Sequence, residues 1–262
     1  MSFIEIDSCT RVDEWSMSRL QSHDYYELYF LLEGTRRFFL EDGIFNITAP
    51  TVCIIPPFCL HKTEGGAYKR ININVSGDVL SEVEREFLDV YGEQVVFNLD
   101  TERATVFLSL LEEASGILYG NLTDGSLTAS FVHVLLHLLG NGCLRPIDVN
   151  VGKVCPRRDD AVMQAVAYIN KHYAERFTVN DVCAALFMSK NSLCAKFRST
   201  MHCSVMEYRS FIRISRAKEL LVSGGKSLEE IAELCGFSSA NYFSLIFKKQ
   251  VGISPSGYRK TK

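Results

Sequence analysis

The chain has 262 residues, of which 47% are hydrophobic and 23% are charged, as expected for a soluble globular protein with one large domain or two smaller ones. Its net charge of −3 hides an asymmetry, because residues 156–262 carry 17 Lys and Arg against 9 Asp and Glu, whereas residues 1–155 carry 11 against 22. The basic part is a candidate for polyanion binding, and chance clustering of surface charge is the alternative.

Three classes of protein are disfavoured. No basic segment followed by an apolar segment opens the chain, so a secretory signal is not expected. The most apolar stretch, SFVHVLLHLLG, is too short to span a bilayer. The nine cysteines are odd in number and form no CxxC pair, which indicates reduced thiols rather than disulfides or a zinc cluster. We therefore expect a cytoplasmic protein with no membrane association and no cofactor.

Residues 25–75 alternate between apolar and polar side chains in short segments. YYELYFLLEG, RRFFLEDGIFNI, TVCIIPP and YKRININVS are separated by glycines and prolines. Short strands at regular spacing predict a small antiparallel barrel at about 15–77.

Polar side chains on these strands are candidates for binding a small molecule. Strict alternation places His23, Tyr25, Glu27 and Tyr29 on one side of a strand. Arg37, Tyr68 and Arg70 are further candidates for a polar or anionic ligand, with Arg36 able to replace Arg37, and each of them has a surface position as its alternative. The predicted effector-binding residues are His23, Tyr25, Glu27, Arg37, His61 and Tyr68.

Residues 79–142 have a helical pattern. Val106, Leu110 and Ile117, with Leu111 and Leu118, form an apolar stripe that suits either a second subunit or packing against the barrel. His133 and His137 have the spacing of a metal pair, but no third ligand accompanies them, so we expect helix-surface residues. Residues 146–158 contain proline and glycine without periodicity and are predicted to be the interdomain linker.

The basic half contains a duplicated element. Phe247 and Tyr258 repeat Phe197 and Tyr208 at an offset of 50, while upstream the offset is 49. Each copy has the pattern of a helix, a tight turn and a second helix. SLEE at 227–230 is a capping box, TVND at 178–181 is a weaker one, and Gly236 is suited to a turn with positive φ.

The second helix of each copy has the properties of a DNA-reading helix: an apolar face, a small and polar face, and a basic end. Asn191 and Asn241 are the expected base readers, and Ala195, Ala240 or Leu245 would contact thymine methyl groups. Lys190, Arg198, Lys248 and Ser239 would contact phosphates, whereas the alternative for Leu245 is packing on a neighbouring helix. The predicted DNA-binding residues are Ser189, Lys190, Asn191, Cys194, Ala195, Arg198, Ser238, Ser239, Ala240, Asn241, Ser244, Leu245 and Lys248.

The segment between the copies, 204–223, contains no glycine or proline and is predicted to be one helix that Gly224 and Gly225 end. A helix of this length spans roughly 30 Å. It could hold the two reading helices about one DNA turn apart, ~34 Å. The duplication would then set the distance between the two reading helices.

The stretch SRAKELL…SLEEIAELCGFSSANYFSLIFKKQVGISPSGYR resembles the signature of the AraC/XylS family of bacterial transcription regulators, over roughly Asp159 to Lys260. The resemblance implies a seven-helix domain with two helix-turn-helix units that acts on promoter DNA. Ala195 and Leu245 stand where the family often has arginine, so direct bidentate readout of bases is expected to be sparse here.

SHDYYELYFLLEG and PPFCLH resemble the cupin-like effector domain of many AraC relatives, over roughly Ser22 to Val75. Metal-binding cupins supply His-x-His, Glu and a further His; His23, Glu27 and His61 match three of these places, and Gln21 stands at the fourth. Two histidines and a carboxylate could form a facial iron triad. A pocket for a small molecule is the favoured interpretation.

The expected architecture is α+β, with a cupin-like antiparallel β-barrel and following helices at 1–145, a linker at 146–158 and an all-α DNA-binding domain at 159–262. The expected function is a transcription regulator, an activator by family resemblance, controlled by an effector in the barrel. Its expected partners are promoter DNA, RNA polymerase and a second copy bound through the N-terminal domain. The alternatives are a metal-dependent cupin enzyme fused to a DNA-targeting module and a methyl-accepting repair regulator, which the cysteine spacing disfavours.

Overall fold

A computed structural model describes residues 3–40, 43–92, 96–99, 101–120, 125–141, 143–146 and 161–261. The predicted linker lies outside the described residues, except for Pro146, which ends a strand. The architecture is α+β, as predicted: an antiparallel sheet with three helices comes first, and an all-helical domain follows.

Nine strands form the N-terminal sheet in the described part of the chain, and every pair is antiparallel. The strands are β1 (Ile4–Arg11), β2 (Trp15–Ser16), β3 (Tyr26–Leu40), β4 (Gly43–Thr48), β5 (Thr51–Ile55), β6 (His61–Gly65), β7 (Tyr68–Val75), β8 (Val96–Leu99) and β9 (Leu144–Pro146). The main order is β1-β7-β3-β5-β8-β9, while β4 and β6 pair with β3 and β2 pairs with β6. Strands β1, β8 and β9 lie outside the predicted range of 15–77. Strands β8 and β9 have only four and three residues, too few to be recognised by alternation, whereas β1 has eight residues and was missed at the edge of the sheet.

A β-bulge in β3 reverses which side chains face the interior. Before it, Tyr29 and Leu31 belong to the interior cluster, and after it Phe38 belongs to the same cluster. The pairing with β7 shifts between Leu31 and Glu33, which inserts one residue and changes the parity of the alternation. Arg36 is therefore the buried arginine, whereas the predicted effector residue Arg37 is half-buried on the opposite parity.

Three helices cover the outer face of this sheet: α1 (Glu82–Gly92), α2 (Thr101–Gly120) and α3 (Gly125–Gly140). Leu28 and Phe30 of β3 pack in one core cluster with Leu111 of α2. The predicted stripe on α2 is therefore divided, since Leu111 is buried while Val106 and Leu110 are 64% and 53% exposed. The side chains of Ile117 and Leu118 lie outside the described residues.

The C-terminal domain has seven helices in its described residues, as the family resemblance implied. They are α4 (Ala161–His172), α5 (Val179–Ala185), α6 (Lys190–Met201), α7 (Val205–Ser223), α8 (Leu228–Leu234), α9 (Ala240–Val251) and α10 (Pro255–Lys260). Helices α5 and α6 form the first helix-turn-helix unit, and α8 and α9 form the second. The long helix α7 packs into the cores of both, through Tyr208 and Ile212 in one cluster and Ile214 and Leu221 in the other.

Local capping bonds fix where these helices begin. At α8 the Ser227 amide donates to the Glu230 carboxylate at 2.7 Å, and the Glu230 amide donates to the Ser227 hydroxyl at 3.1 Å. Helix α7 has the same box with Ser204 and Glu207, and it ends at Gly224, whose φ is 71°. The boundaries predicted from these residues are confirmed, because capping depends on side chains adjacent in sequence.

The two domains pack against each other. Leu20 and Leu60 of the N-terminal domain share one apolar cluster with Val162 of α4. The Lys218 ammonium of α7 donates to the Ser22 carbonyl at 2.7 Å, and the Ser215 hydroxyl donates to the Phe58 carbonyl. Helix α7 therefore contacts the N-terminal domain as well as both helix-turn-helix units. Among the helices that the structure describes, each is too short or too polar to cross a bilayer.

Candidate functional site

Helix α6 presents the first predicted reading face. Its N-cap Ser189 accepts a hydrogen bond from the Ser192 amide at 3.3 Å, so the helix begins where the sequence predicted. Leu193 and Phe197 are fully buried on the inner face. The outer face consists of exposed residues, which are Ser189, Lys190, Asn191, Cys194, Ala195 and Arg198.

Helix α9 repeats this arrangement. Its N-cap Ser239 accepts from the Tyr242 amide at 3.2 Å, and Phe243 and Phe247 are fully buried. Leu245 is 65% exposed, so it does not pack on a neighbouring helix as the alternative held. Of the predicted contact residues, those exposed are Ser238, Ser239, Asn241, Leu245 and Lys248, whereas Ala240 and Ser244 are half-buried.

The structure adds one residue that sequence reasoning missed on this face. Tyr242 of α9 is 50% exposed, beside Asn241. Its ring also contacts the Phe237 ring, at 6.3 Å between centroids, so one edge of the Tyr242 ring is packed and the rest is exposed to solvent. Its spacing of three residues from Leu245, which places both on one side of a helix, was the available signal.

The predicted reading helices, α6 and α9, also suit a polyanion electrostatically. Neither α6 nor α9 contains Asp or Glu, while Lys190, Lys196, Arg198, Lys248 and Lys249 lie along them. All five side chains are exposed. Cations and helix N-termini without competing carboxylates attract phosphate groups.

A close contact between backbone segments joins the two units. Gly236, at the turn between α8 and α9, has φ 76°, and a Cβ there would overlap the Ala174 carbonyl oxygen. Arg213 of α7 donates to the Tyr173 carbonyl at 2.6 Å and to the Glu175 carbonyl at 2.9 Å. The segment 173–175, which precedes the first unit, is thus held against the second unit and α7.

In the N-terminal domain, three predicted effector residues converge. His23 Nε2 lies 3.0 Å from Glu27 Oε2, and His61 Nε2 lies 3.4 Å from the same oxygen. Asn72 donates to the other carboxylate oxygen of Glu27 at 2.6 Å. Tyr25 stacks on the His23 ring at 3.9 Å between centroids.

Burial and mutual contact set the protonation of this cluster. Burial lowers the pKa of His23 more than its hydrogen bond to Glu27 raises it. For His61 burial acts in the same direction, but its hydrogen bond to Glu27 and the charge of Glu27 outweigh burial and raise the pKa. Burial alone would raise the pKa of Glu27, yet hydrogen bonds from both histidines hold it well below its usual range. Glu27 is therefore a buried carboxylate, and of its two histidine partners only His61 has a raised pKa.

The remaining predicted effector residues lie elsewhere. Tyr68 is buried, with the Arg36 guanidinium 4.3 Å from its ring centroid. Arg37 pairs instead with Glu64, at 3.4 Å, and its side chain is 41% exposed. The structure thus brings His23, Tyr25, Glu27 and His61 together, places Tyr68 beside Arg36, and leaves Arg37 outside both groups.

A cavity of about 690 Å³ lies between the two domains, next to the histidine cluster. Its lining includes His23, Tyr25 and Leu60 from the N-terminal domain and Phe211 and Lys218 from α7. A small molecule there would contact both domains at once.

The histidines of α3 do not form a site. His133 Nδ1 pairs with Glu84 of α1 at 2.6 Å, and His137 is exposed. In the described residues, the group of three possible metal ligands that the structure brings together is His23, Glu27 and His61.

Two family models match the chain. An AraC-like ligand binding domain matches residues 10–134, and a helix-turn-helix domain matches residues 182–261. The first match covers strands β2 to β8, helices α1 and α2 and part of α3, and the second begins within α5 and covers the rest of both helix-turn-helix units.

Curated relatives are regulatory proteins. The chain is 30% identical to the xylose operon regulatory protein of Haemophilus influenzae over 192 residues, which cover 69% of this chain and 48% of that protein. It is 25% identical to the lactose operon transcription activator of Staphylococcus xylosus over 170 residues, 65% of this chain and 60% of that protein. The chain thus spans about half the length of the xylose operon relative.

A solved structure, the C-terminal domain of the response regulator AraT from Geobacillus stearothermophilus, is 34% identical and covers 40% of this chain and 88% of that one, with a TM-score of 0.39. Family membership rests on the two domain matches and the sequence relatives. With an AraC-like ligand-binding domain followed by a helix-turn-helix domain, the chain belongs to the AraC family of transcription regulators.

Proposed function

We propose that the protein is a sequence-specific regulator of transcription that binds promoter DNA through α6 and α9. The observation that carries this proposal is the pair of exposed, basic helices without carboxylates. Helix α6 directly precedes α7, and Gln250 of α9 donates to Ser210 of α7 at 2.7 Å. Helix α7 has 19 residues and is therefore about 28 Å long. This length is close to the ~34 Å between successive major-groove segments on one face of DNA.

The residues of each reading helix have separate roles in this proposal. Asn191 and Asn241 hydrogen-bond to base edges, and Leu245 contacts thymine methyl groups. Lys190 and Lys248 contact phosphates and set the register of each helix on the duplex.

Footprinting across the genome identifies the bound sequences, and binding to one of them then tests the roles. Replacing Lys190 and Lys248 together with alanine should weaken binding to every sequence and reduce the slope of log K against log salt by about 2, since each phosphate contact contributes ~0.9. Asn191→Ala should cost about 1–3 kcal/mol on the specific site and little on unrelated DNA. Fluorescence anisotropy at several salt concentrations measures both effects.

Lys171→Ala is the matched control, because Lys171 is an exposed lysine on α4, off both reading helices. It removes the same type of charge and should leave the salt slope unchanged. If it reduces the slope as much as a reading-helix lysine does, net charge rather than the reading helices drives binding.

We further propose that an unidentified small molecule binds the N-terminal domain and controls DNA binding. The AraC-like ligand binding domain match and the cavity between the domains support this proposal. The sign of control is activation, with RNA polymerase as partner, in line with the name of the Staphylococcus xylosus relative. Both relatives reported above are named as regulators, so we propose no catalytic activity, and we propose the cytoplasm as the place of action.

A second copy of the chain is the proposed partner of the N-terminal domain. A groove of about 250 Å³ between α2 and α3 is lined almost entirely by apolar side chains, and its rim includes exposed Leu110 and Val134. Val106 extends the same exposed apolar surface along α2. Burying this surface in a dimer removes it from water.

Leu110→Glu should convert a dimer into a monomer, because it places a charge in the centre of this apolar surface. Analytical ultracentrifugation over a range of concentrations measures the change. Val83→Glu is the control, since Val83 is an exposed valine on α1, outside the groove. A wild-type protein that sediments as a monomer at every concentration would contradict the proposed dimer.

A further inference from the structure

Buried polar atoms without a hydrogen-bond partner are concentrated on two neighbouring strands of the N-terminal sheet. In the described part of the chain, six buried side-chain nitrogen or oxygen atoms lack such a partner, and five of them belong to β3 and β7. These five are Tyr29 Oη, Arg36 Nη2, Arg70 Nη1, Asn72 Oδ1 and Asn74 Oδ1. An unpaired buried donor or acceptor costs free energy, so this concentration marks a place where a ligand can supply partners.

The two sides of β7 differ in chemistry. Ile71 and Ile73 pack in the core cluster that the three helices cover. Tyr68 and Arg70 alternate with these residues along the strand and so face the opposite side, where Tyr68 shares the interior cluster with Tyr29. The interior side of β7 is therefore polar, although it faces other strands rather than open solvent.

Two guanidinium groups lie beside the same two tyrosine rings. Arg70 Cζ is 5.8 Å from the centroid of the Tyr29 ring, and Arg36 Cζ is 4.3 Å from the centroid of the Tyr68 ring. Burial raises the pKa of both tyrosines, and the charges of both arginines oppose that rise in each case. Arg36 and Arg70 thus contribute positive charge to one shared region of the interior.

Arg36 is a buried cation whose hydrogen-bond acceptors in the described structure are all neutral. Its Nε donates to the Thr63 hydroxyl at 3.2 Å, and its Nη1 donates to the carbonyl oxygens of Trp15 and Gly65. The charge of Glu64 also acts on Arg36, but that carboxylate forms ion pairs with three other side chains. A buried positive charge without an anionic partner is costly, and Nη2 is the group of Arg36 that is free to bind one.

Arg70 connects this region to the surface. Its Nη2 donates to the Asp7 carboxylate at 2.8 Å, which leaves Nη1 as the buried and unpaired nitrogen. The side chains of Arg70 and Asp7 are 18% and 41% exposed. A small molecule can therefore reach the two arginines from solvent along β1 and β7.

We propose that Arg36 Nη2, Arg70 Nη1 and the Tyr29 hydroxyl bind the carboxylate of a small organic acid in the interior of the N-terminal domain. A carboxylate has two oxygens that together accept about four hydrogen bonds, enough for these three donors. Hydrogen bonds from guanidinium groups to a carboxylate are charge-assisted and are among the stronger ones in proteins. The inference rests on the proposed control by a small molecule, and it names the chemical class of that molecule.

Titration of the full-length protein with sodium acetate, at constant ionic strength and without DNA, tests the proposal. Trp15 is the single tryptophan, and its ring centroid lies 5.7 Å from Arg36 Cζ, so its fluorescence reports on the site. We expect a saturable change with a Kd on the order of 1 mM, because a ligand of so few atoms binds weakly. Acetate should also raise the unfolding temperature. Acetamide has nearly the same shape but no charge, and it should produce neither effect.

Matched variants locate the site. Tyr29→Phe should weaken acetate binding by about 10–100-fold, as for the loss of a hydrogen bond to a charged group. It should not lower the unfolding free energy of the acetate-free protein, because the hydroxyl has no protein partner to lose. A purely structural role of this hydroxyl would give the opposite pattern. Arg70→Gln should weaken binding by at least about 10-fold.

Arg37→Ala is the control, because it removes the same charge from a partly exposed side chain that pairs with Glu64. It should bind acetate as the wild-type protein does. Three results would each overturn the proposal: no saturable response of the wild-type protein at roughly 100 times the expected Kd, an equal response to acetamide, or unchanged acetate affinity in Tyr29→Phe. The last of these does not depend on whether Arg70→Gln folds.

The outcome is separable from that for the proposed function. Acetate binding is measured without DNA, so a protein that binds promoter DNA but no acetate would reject this site alone. A protein that binds acetate but no promoter DNA would reject the proposed regulator and leave the carboxylate site in place.

Discussion

Gly236→Ala should lower the free energy of unfolding of the C-terminal domain by about 3 kcal/mol. A left-handed φ of 76° costs a non-glycine residue about 1 kcal/mol. The new Cβ would also overlap the Ala174 carbonyl oxygen, and backbone shifts of that kind cost about 1–3 kcal/mol. Urea unfolding followed by far-ultraviolet circular dichroism measures the total, because this domain is all helical.

Gly252→Ala separates the two contributions. Gly252 has φ 93° after α9, but an added Cβ there meets nothing within 4 Å. It should cost only the conformational part, about 1 kcal/mol. Equal losses in the two variants would contradict the close contact between Gly236 and the segment 173–175, and with it the rigid connection between the two units.

The first helix-turn-helix unit also has a turn residue with positive φ, but without a close backbone contact like that between Gly236 and Ala174. Phe187 occupies the turn position that corresponds to Gly236, at an offset of 49, with φ 53°. Its side chain is 97% exposed, so it carries the conformational cost without a steric one. The repeat therefore tolerates a side chain in one copy and excludes it in the other.

Arg36→Ala should destabilise the N-terminal domain by about 3–5 kcal/mol. Arg36 is 2% exposed and donates to the Trp15 carbonyl at 2.9 Å, the Gly65 carbonyl at 2.8 Å and the Thr63 hydroxyl at 3.2 Å. Alanine leaves these acceptors without the Arg36 donor and opens a cavity beside Tyr68, and buried polar groups that lose a partner and cavities of this size each cost a few kcal/mol at most. Trp15 is the single tryptophan of the chain, so its fluorescence reports this region during urea unfolding.

Arg37→Ala is the matched control on the neighbouring residue. Its ion pair with Glu64, at 3.4 Å, is partly exposed, and pairs of this kind contribute no more than about 1 kcal/mol. A loss for Arg37→Ala equal to that for Arg36→Ala would mean that the bulge in β3 does not set the facing of these side chains.

The candidate sites could be predicted to different extents. The exposed faces of α6 and α9 follow from the sequence, because the spacing of Phe197 or Phe247 from its polar neighbours decides which side of a regular helix is buried. The pocket residues could be predicted from the sequence only in part. His23 and Glu27 lie on one segment and His61 on another, and strand pairing decides that the two segments are close. Because of the bulge at Leu31–Glu33, Arg36 faces the interior in place of the predicted Arg37. Alternation of apolar and polar residues cannot reveal an inserted residue.

By itself, then, the sequence determined the α+β architecture, the duplicated helix-turn-helix units, the capping serines of their helices and the outward faces of α6 and α9. These features depend on contacts between residues close in the chain, which spacing alone specifies. Only the tertiary structure decided the parity of β3, the recruitment of β1, β8 and β9, the contacts of α7 with the N-terminal domain and the convergence of two histidines on one carboxylate. Those depend on pairing and packing between distant segments, whose register no local pattern fixes.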